Sequence, residues 1–178
     1  MIKQIFPTEI YEGSNILSMD HMQQIYDFIL VNGEDSQIIT PKKIKSLSIL
    51  KEKILEKIII LNESYGFKKI TVSNNFTTHF FPAGKECQME THSDDLGDSG
   101  RKFIALYYVE SENNSGGELE IFDPRWLNSC WKDMGTSIKF TPEKNKLIIF
   151  PTFLWHRVVP YKSKFFPRML LDVVIKVE

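Results

Sequence analysis

Two short stretches hold the residues that could do chemistry. Thr91-His92-Ser93-Asp94-Asp95 sets an imidazole and a carboxylate two positions apart, and Phe150–His156, followed by Arg168, supplies a second imidazole and a guanidinium far downstream. On an extended chain, residues i and i+2 leave the same face, so His92 and Asp94 point together. Two ligands from one strand and an imidazole from a distant strand make a 2-His-1-carboxylate facial triad, which leaves three positions of an octahedral iron open. His92, Asp94 and His156 are therefore expected to hold Fe(II), with Arg168 anchoring an acidic co-substrate beside it. Asp95, three residues from His92, points the wrong way on a strand, which leaves Asp94 as the expected ligand. Taken alone, the His-x-Asp triplet is more often a partly buried histidine beside a turn carboxylate. Its weight comes from the rest of the chain.

The elements that must position these residues fall into two parts. Residues 1–68 read as a helical lead-in. Ile5-Phe6-Pro7 and Ile10-Tyr11 suggest a short edge strand interrupted by proline. Ser18 is placed to cap a helix carrying Met19, Met22, Ile25, Tyr26 and Ile29, ended by Asn32-Gly33. Glu34–Lys45 reads as a loop. A second helix, from about Ser46 to Tyr65, carries Leu47, Leu50, Ile54, Ile58, Leu61 and Tyr65 on one stripe and stops at Gly66. Such a stripe is expected to cover one face of a sheet rather than to form a partner-binding groove.

From Lys69 the pattern changes to strands. Ile70–Phe80, Lys102–Val109, Glu118–Ile121, Ile138–Phe140, Leu147–Phe150, Trp155–Val159 and Arg168–Ile175 account for most of about eight short strands between Gly, Pro, Asn and Ser turns. That spacing implies a mainly β sandwich or barrel with flanking α-helices, and 178 residues suit a single domain.

With 42% hydrophobic and 25% charged residues the chain has an ordinary globular composition. A net charge of -1 gives no electrostatic footprint for nucleic acid or an anionic membrane. Cys87 and Cys130 form neither a Cys-x-x-Cys pair nor a disulfide framework, which suggests a reducing compartment. Met1–Asp20 lacks a continuous apolar segment of signal-peptide type, and no apolar run approaches a membrane span. A cytoplasmic location is expected.

Phe81-Pro82-Ala83-Gly84, His92-x-Asp94, Ala105–Val109, Gly116-Gly117-Glu118-Leu119 and Phe150…His156…Arg168 form an ordered series. Over residues ~70–176 this series resembles the Fe(II)/2-oxoglutarate-dependent dioxygenases, most closely their prolyl 4-hydroxylase-like branch. Phe122-Asp123-Pro124-Arg125 and Phe150-Pro151-Thr152 are also similar to small bacterial and phage members. The resemblance implies a double-stranded β-helix (a cupin-like jelly-roll) over 69–178, with the metal at its open end. It implies His92, Asp94 and His156 as ligands of Fe(II), and Arg168 as partner of the distal carboxylate of 2-oxoglutarate. Tyr108 would share that carboxylate, and Leu119 and Val158 would wall the co-substrate. The implied reaction consumes O2 and 2-oxoglutarate, releases succinate and CO2, and hydroxylates a peptide, protein or small-molecule substrate. The branch suggests a peptidyl proline.

Strand phase supports the placement, because Ile104, Leu106 and Tyr108 share a face, as do His156 and Val158. Arginine suits the role because its planar fork binds a carboxylate bidentately. The sequence also departs from the family. Phe81 stands where tyrosine is usual, so His79 or another residue would have to supply that contact. Asp172 shares phase with Arg168, so it either pairs with a cation or has its pKa raised by burial. The loops Asp95–Arg101 and Ser111–Ser115 read as lids at the mouth, and Trp126, Cys130, Trp131 and Met134 as a cleft wall or a cap. Two rival readings are a 2-oxoglutarate-independent cupin-type metalloenzyme, which would not need Arg168, and a non-catalytic jelly-roll binding module.

Overall fold

A computed structural model describes residues 8–94, 101–124 and 137–178. The lead-in begins with β1 (Tyr11–Ser14), followed by α1 (Met19–Asn32), a two-residue strand β2 (Ile38–Ile39) and α2 (Ser46–Tyr65). Eight further strands follow: β3 (Ile70–Phe81), β4 (Glu86–His92), β5 (Arg101–Glu110), β6 (Leu119–Phe122), β7 (Ser137–Phe140), β8 (Lys146–Pro151), β9 (His156–Lys162) and β10 (Arg168–Val177). They form a six-stranded sheet in the order β1-β8-β5-β10-β3-β2 and a four-stranded sheet in the order β4-β9-β6-β7. Every pairing among the described residues is antiparallel. This is the mainly β architecture with flanking helices expected from the strand pattern, and the jelly-roll that the resemblance implies.

Side-chain alternation divides the six-stranded sheet between two cores. Phe103, Ala105, Tyr107 and Val109 of β5, Leu147 and Ile149 of β8, and Met169, Leu171, Val173 and Ile175 of β10 face the helices. Their neighbours in the other phase, Ile104, Tyr108, Ile148, Phe150 and Leu170, meet Leu119 and Ile121 of the four-stranded sheet. Being covered on both faces, these strands read as nearly continuous apolar runs.

The helices form for local reasons. Ser18 Oγ accepts a hydrogen bond from His21 N across the first turn of α1. α2 ends at Gly66, whose φ of 72° suits glycine. Leu47, Leu50, Ile54 and Ile58 are fully buried beneath α2, each contributing about 1.5–3 kcal/mol of transfer free energy. Asn145 joins the layers: its side chain accepts from Leu17 N and Tyr107 Oη and donates to Leu17 O.

Two elements differ from expectation. β2 lies inside the stretch read as a loop and pairs Ile38 and Ile39 with Thr77 and Phe76. Two residues cannot show alternation, but burial of Ile39 and the bonds from Thr78 Oγ1 to Glu34 O and Gln37 O hold it in place. β4 is a strand with little apolar content, bulged against β9 on both sides of Met89. The lead-in strand is Tyr11–Ser14, and Ile5–Pro7 fall outside the described residues. No helix among the described residues is long and apolar enough to cross a membrane.

Candidate active site

β4 and β9 bring the two distant imidazoles together. His92, the last residue of β4, is the register partner of His156, the first of β9, and the ring centroids lie 4.3 Å apart. Asp94 follows just beyond β4, its N–H donating to Thr152 O at 3.0 Å in the turn after β8. Asp94 Oδ1 lies 3.8 Å from His92 Nε2 and Oδ2 lies 3.6 Å from His156 Nε2. The three donor atoms are all within 4.8 Å of one another and could hold a metal ion.

The other ring nitrogens explain why the donors converge. His92 Nδ1 bonds Glu90 O at 2.8 Å, and His156 Nδ1 bonds Leu154 O at 3.0 Å. A carbonyl only accepts, so each Nδ1 carries the proton and each Nε2 presents its lone pair to the centre. Metal-binding histidines are commonly fixed in this way. Burial pushes the His156 imidazole below its ordinary pKa, against the opposing pull of the Leu154 carbonyl and the Asp94 charge. It is thereby held neutral, the form that binds a metal.

Deeper in the same cavity, of about 150 Å³, lies a cation without an anion among the described residues. Arg168, the first residue of β10, is 3% exposed. Among the described residues its Nε and Nη2 have no hydrogen-bond partner, nor does the hydroxyl of Tyr108, which is fully buried. The guanidinium carbon lies 5.8 Å from the Tyr108 ring centroid and 6.0 Å from that of Phe81. Burial raises the Tyr108 pKa, with Arg168 pulling the other way, so the hydroxyl remains a donor. Burial likewise raises the Cys87 thiol beside Arg168. Three unmet donors from two side chains on one wall fit a carboxylate, because a buried charge without a partner is otherwise costly. The nitrogen-rich set with one carboxylate fits Fe(II) with open positions. The chain therefore fits both an iron and a small diacid.

Leu119 and Val158 are register partners across β6 and β9, and both line the cavity. Asp172 lines it as well, and its Oδ2 lies 2.6 Å from His79 Nε2. Phe81 lines the cavity beside Arg168 without a hydroxyl to offer. Sequence reasoning named Gly117 in the motif series but gave it no role; a Cβ there would come within 3.3 Å of Arg168 Nε. It also missed the carbonyls of Glu90, Leu154 and Thr152, which as backbone atoms leave no trace in residue type. Asp95, the loop 95–100, Trp126, Cys130, Trp131 and Met134 lie outside the described residues.

Residues 76–174 match the model of the 2OG-Fe(II) oxygenase superfamily. No curated protein matches the sequence. Among solved structures, a prolyl-4-hydroxylase of Pseudomonas putida superposes with a TM-score of 0.71 at 15% identity, over 96% of this chain and 94% of that one. A prolyl hydroxylase of Trichoplax adhaerens, solved with a peptide fragment of the hypoxia inducible factor oxygen degradation domain, gives 0.70 at 17% identity over 94% and 83%. The viral collagen prolyl hydroxylase of Paramecium Bursaria Chlorella virus-1, solved with 2OG, gives 0.65 at 15% identity over 95% and 96%. At such identities the structures show a shared fold, while the family match over more than half of the chain shows its kinship. Membership implies Fe(II), 2-oxoglutarate and O2. The chain belongs to the 2OG-Fe(II) oxygenase superfamily and is a 2-oxoglutarate-dependent dioxygenase.

Proposed function

We propose that His92, Asp94 and His156 hold Fe(II), that Arg168 and Tyr108 receive the distal carboxylate of 2-oxoglutarate, and that the protein hydroxylates a peptidyl proline. The observation that carries the co-substrate assignment is Arg168, whose Nε and Nη2 have no acceptor among the described residues and which lines the cavity that the three ligands also line, with the buried Tyr108 ring 5.8 Å from its guanidinium. The substrate assignment draws support from the fold shared with prolyl hydroxylases, one of them solved with a peptide.

When bound, the iron and co-substrate supply the oxidising power: 2-oxoglutarate and O2 give succinate and CO2, and one oxygen atom goes to the substrate. The chain supplies placement. The Glu90 and Leu154 carbonyls orient the two rings, and Thr152 O orients the backbone of Asp94. Arg168 fixes one end of the co-substrate through its planar fork. Leu119 and Val158 close the cavity with apolar walls that exclude water.

The test is titration of 2-oxoglutarate into the anaerobic, Fe(II)-loaded protein, followed by assay of succinate with proline-containing peptides. A weak visible charge-transfer band is expected in the wild type and should be absent in Arg168→Ala and His156→Ala. A band that survives Arg168→Ala removes the co-substrate assignment. Succinate formation that proline peptides do not stimulate removes the substrate assignment.

A further inference from the structure

The interior face of β10 carries a polar side chain that the assigned roles leave unused. Arg168, Leu170 and Asp172 share this face, and Asp172 reaches diagonally to His79 on β3 at 2.6 Å. The other nitrogen of His79, Nδ1, lies 3.6 Å from Asp35 Oδ1. His79 and Asp172 both line the cavity that holds the triad and Arg168.

Sheet register places the pair. Along β10, Leu170 pairs with Tyr108, Asp172 with Leu106 and Ile175 with Phe103. Phe103 pairs with Pro151, which precedes the Thr152 that holds Asp94. Asp172 thus lies toward the triad, about 13 Å along the strand from Arg168, and away from the distal-carboxylate end. Stability does not account for the pair. Its side chains are 18% and 19% exposed, beside the apolar Ile104, Leu106 and Leu170 of the same sheet. Apolar residues would pack there at least as well as a hydrogen-bonded polar pair. Charge counting gives the same direction. Divalent iron and Arg168 balance Asp94 and a dianionic co-substrate, whereas Asp172 and Asp35 share one imidazole. A carboxylate in excess beside the reacting end suits a cation.

We propose that Asp172, oriented by His79, is a specificity-determining contact that receives an ammonium or guanidinium group of the substrate close to the carbon oxidised. The proposal rests on the dioxygenase reading. The cation can belong to a free amine or to a basic side chain of a peptide, and two arms separate these sources.

Ligand-observed NMR on Zn(II)- and 2-oxoglutarate-loaded protein, which cannot turn over, would compare pyrrolidinium with cyclopentanol, and acetyl-lysyl-prolinamide with acetyl-norleucyl-prolinamide. In at least one arm the cation should bind tenfold or more tightly than its neutral counterpart. In Asp172→Asn that preference should fall below twofold while 2-oxoglutarate affinity stays within threefold. His79→Leu, which removes the donor that orients Asp172, should lower the preference at least threefold, and it decides the matter if Asp172→Asn does not fold. No preference in either arm, a preference retained in the variants, or equal loss of 2-oxoglutarate affinity would overturn the proposal. Failure of the dioxygenase reading is a separate result: metal-loaded protein that shows no Arg168-dependent binding of 2-oxoglutarate.

Discussion

At the scale of single residues, the site is organised by charges that lack partners until it is filled. Two nitrogens of Arg168 are buried without acceptors among the described residues, at a cost of about 1–3 kcal/mol. Its contacts with the Phe81 and Tyr108 rings return roughly 0.5–1 kcal/mol each, so the balance is still slightly against the folded, unliganded protein. Arg168→Met should therefore melt no lower than the wild type without ligand, and up to a few degrees higher. Its 2-oxoglutarate affinity should fall at least about thirtyfold, as when one partner of a buried charge pair is lost. Calorimetry with and without co-substrate reads both effects. His156 adds a pH dependence. Its pKa is lowered on folding from an ordinary 6.5, so the unfolded chain binds the proton more readily. Stability is full above pH 6.5 and declines as pH falls toward the folded value, and His156→Asn should flatten that slope in apo unfolding curves. The triad and Arg168 were legible because residue type and spacing state their chemistry. The His79–Asp172 pair was only half legible: strand phase turned Asp172 inward, but its partner depended on a register that alternation does not fix.

At the scale of elements, legibility followed length and apolar content. β5, β8 and β10 are buried on both faces and announced themselves as apolar runs, and the stripe of α2 was read to within a residue. β2 was lost because two residues carry no period. β4, the strand that bears His92, has one buried apolar residue, Cys87, so its extended state could only be assumed from the ligand spacing. Its bulges against β9 matter because they bring His92 opposite His156. The approach to β6 carries a similar hidden constraint. Gly117 has φ +78°, and a Cβ there would sit 3.1 Å from Tyr161 and 3.3 Å from Arg168 Nε. Gly117→Ala should cost about 1–2 kcal/mol for the left-handed backbone alone. It should also crowd Arg168 and weaken 2-oxoglutarate severalfold, although position 117 offers no side chain to the ligand. An unchanged dissociation constant would show that the guanidinium is placed by β10 alone.

At the scale of the whole molecule, the six-stranded sheet separates two jobs. The helical face holds the larger core, and the site grows from the other face, toward the smaller sheet. The two should be separable by mutation. Ile54 is fully buried beneath α2, on the side away from the cavity. Ile54→Ala should cost about 2–5 kcal/mol, a large share of the roughly 5–15 kcal/mol typical of a domain. Its affinity for 2-oxoglutarate should remain within about twofold of wild type, because distant sites with no shared partners behave additively. Metal-loaded wild type at a hundredfold excess of 2-oxoglutarate over its dissociation constant should gain about 2.7 kcal/mol. Ile54→Ala should gain the same increment from a lower starting point. His156→Ala should gain none, although its unliganded stability stays closer to wild type. The measurement is a set of denaturant curves for the three proteins with and without co-substrate. If Ile54→Ala lost the ligand increment, the sheet would be transmitting helix packing into the site, and the lead-in would be part of the binding machinery.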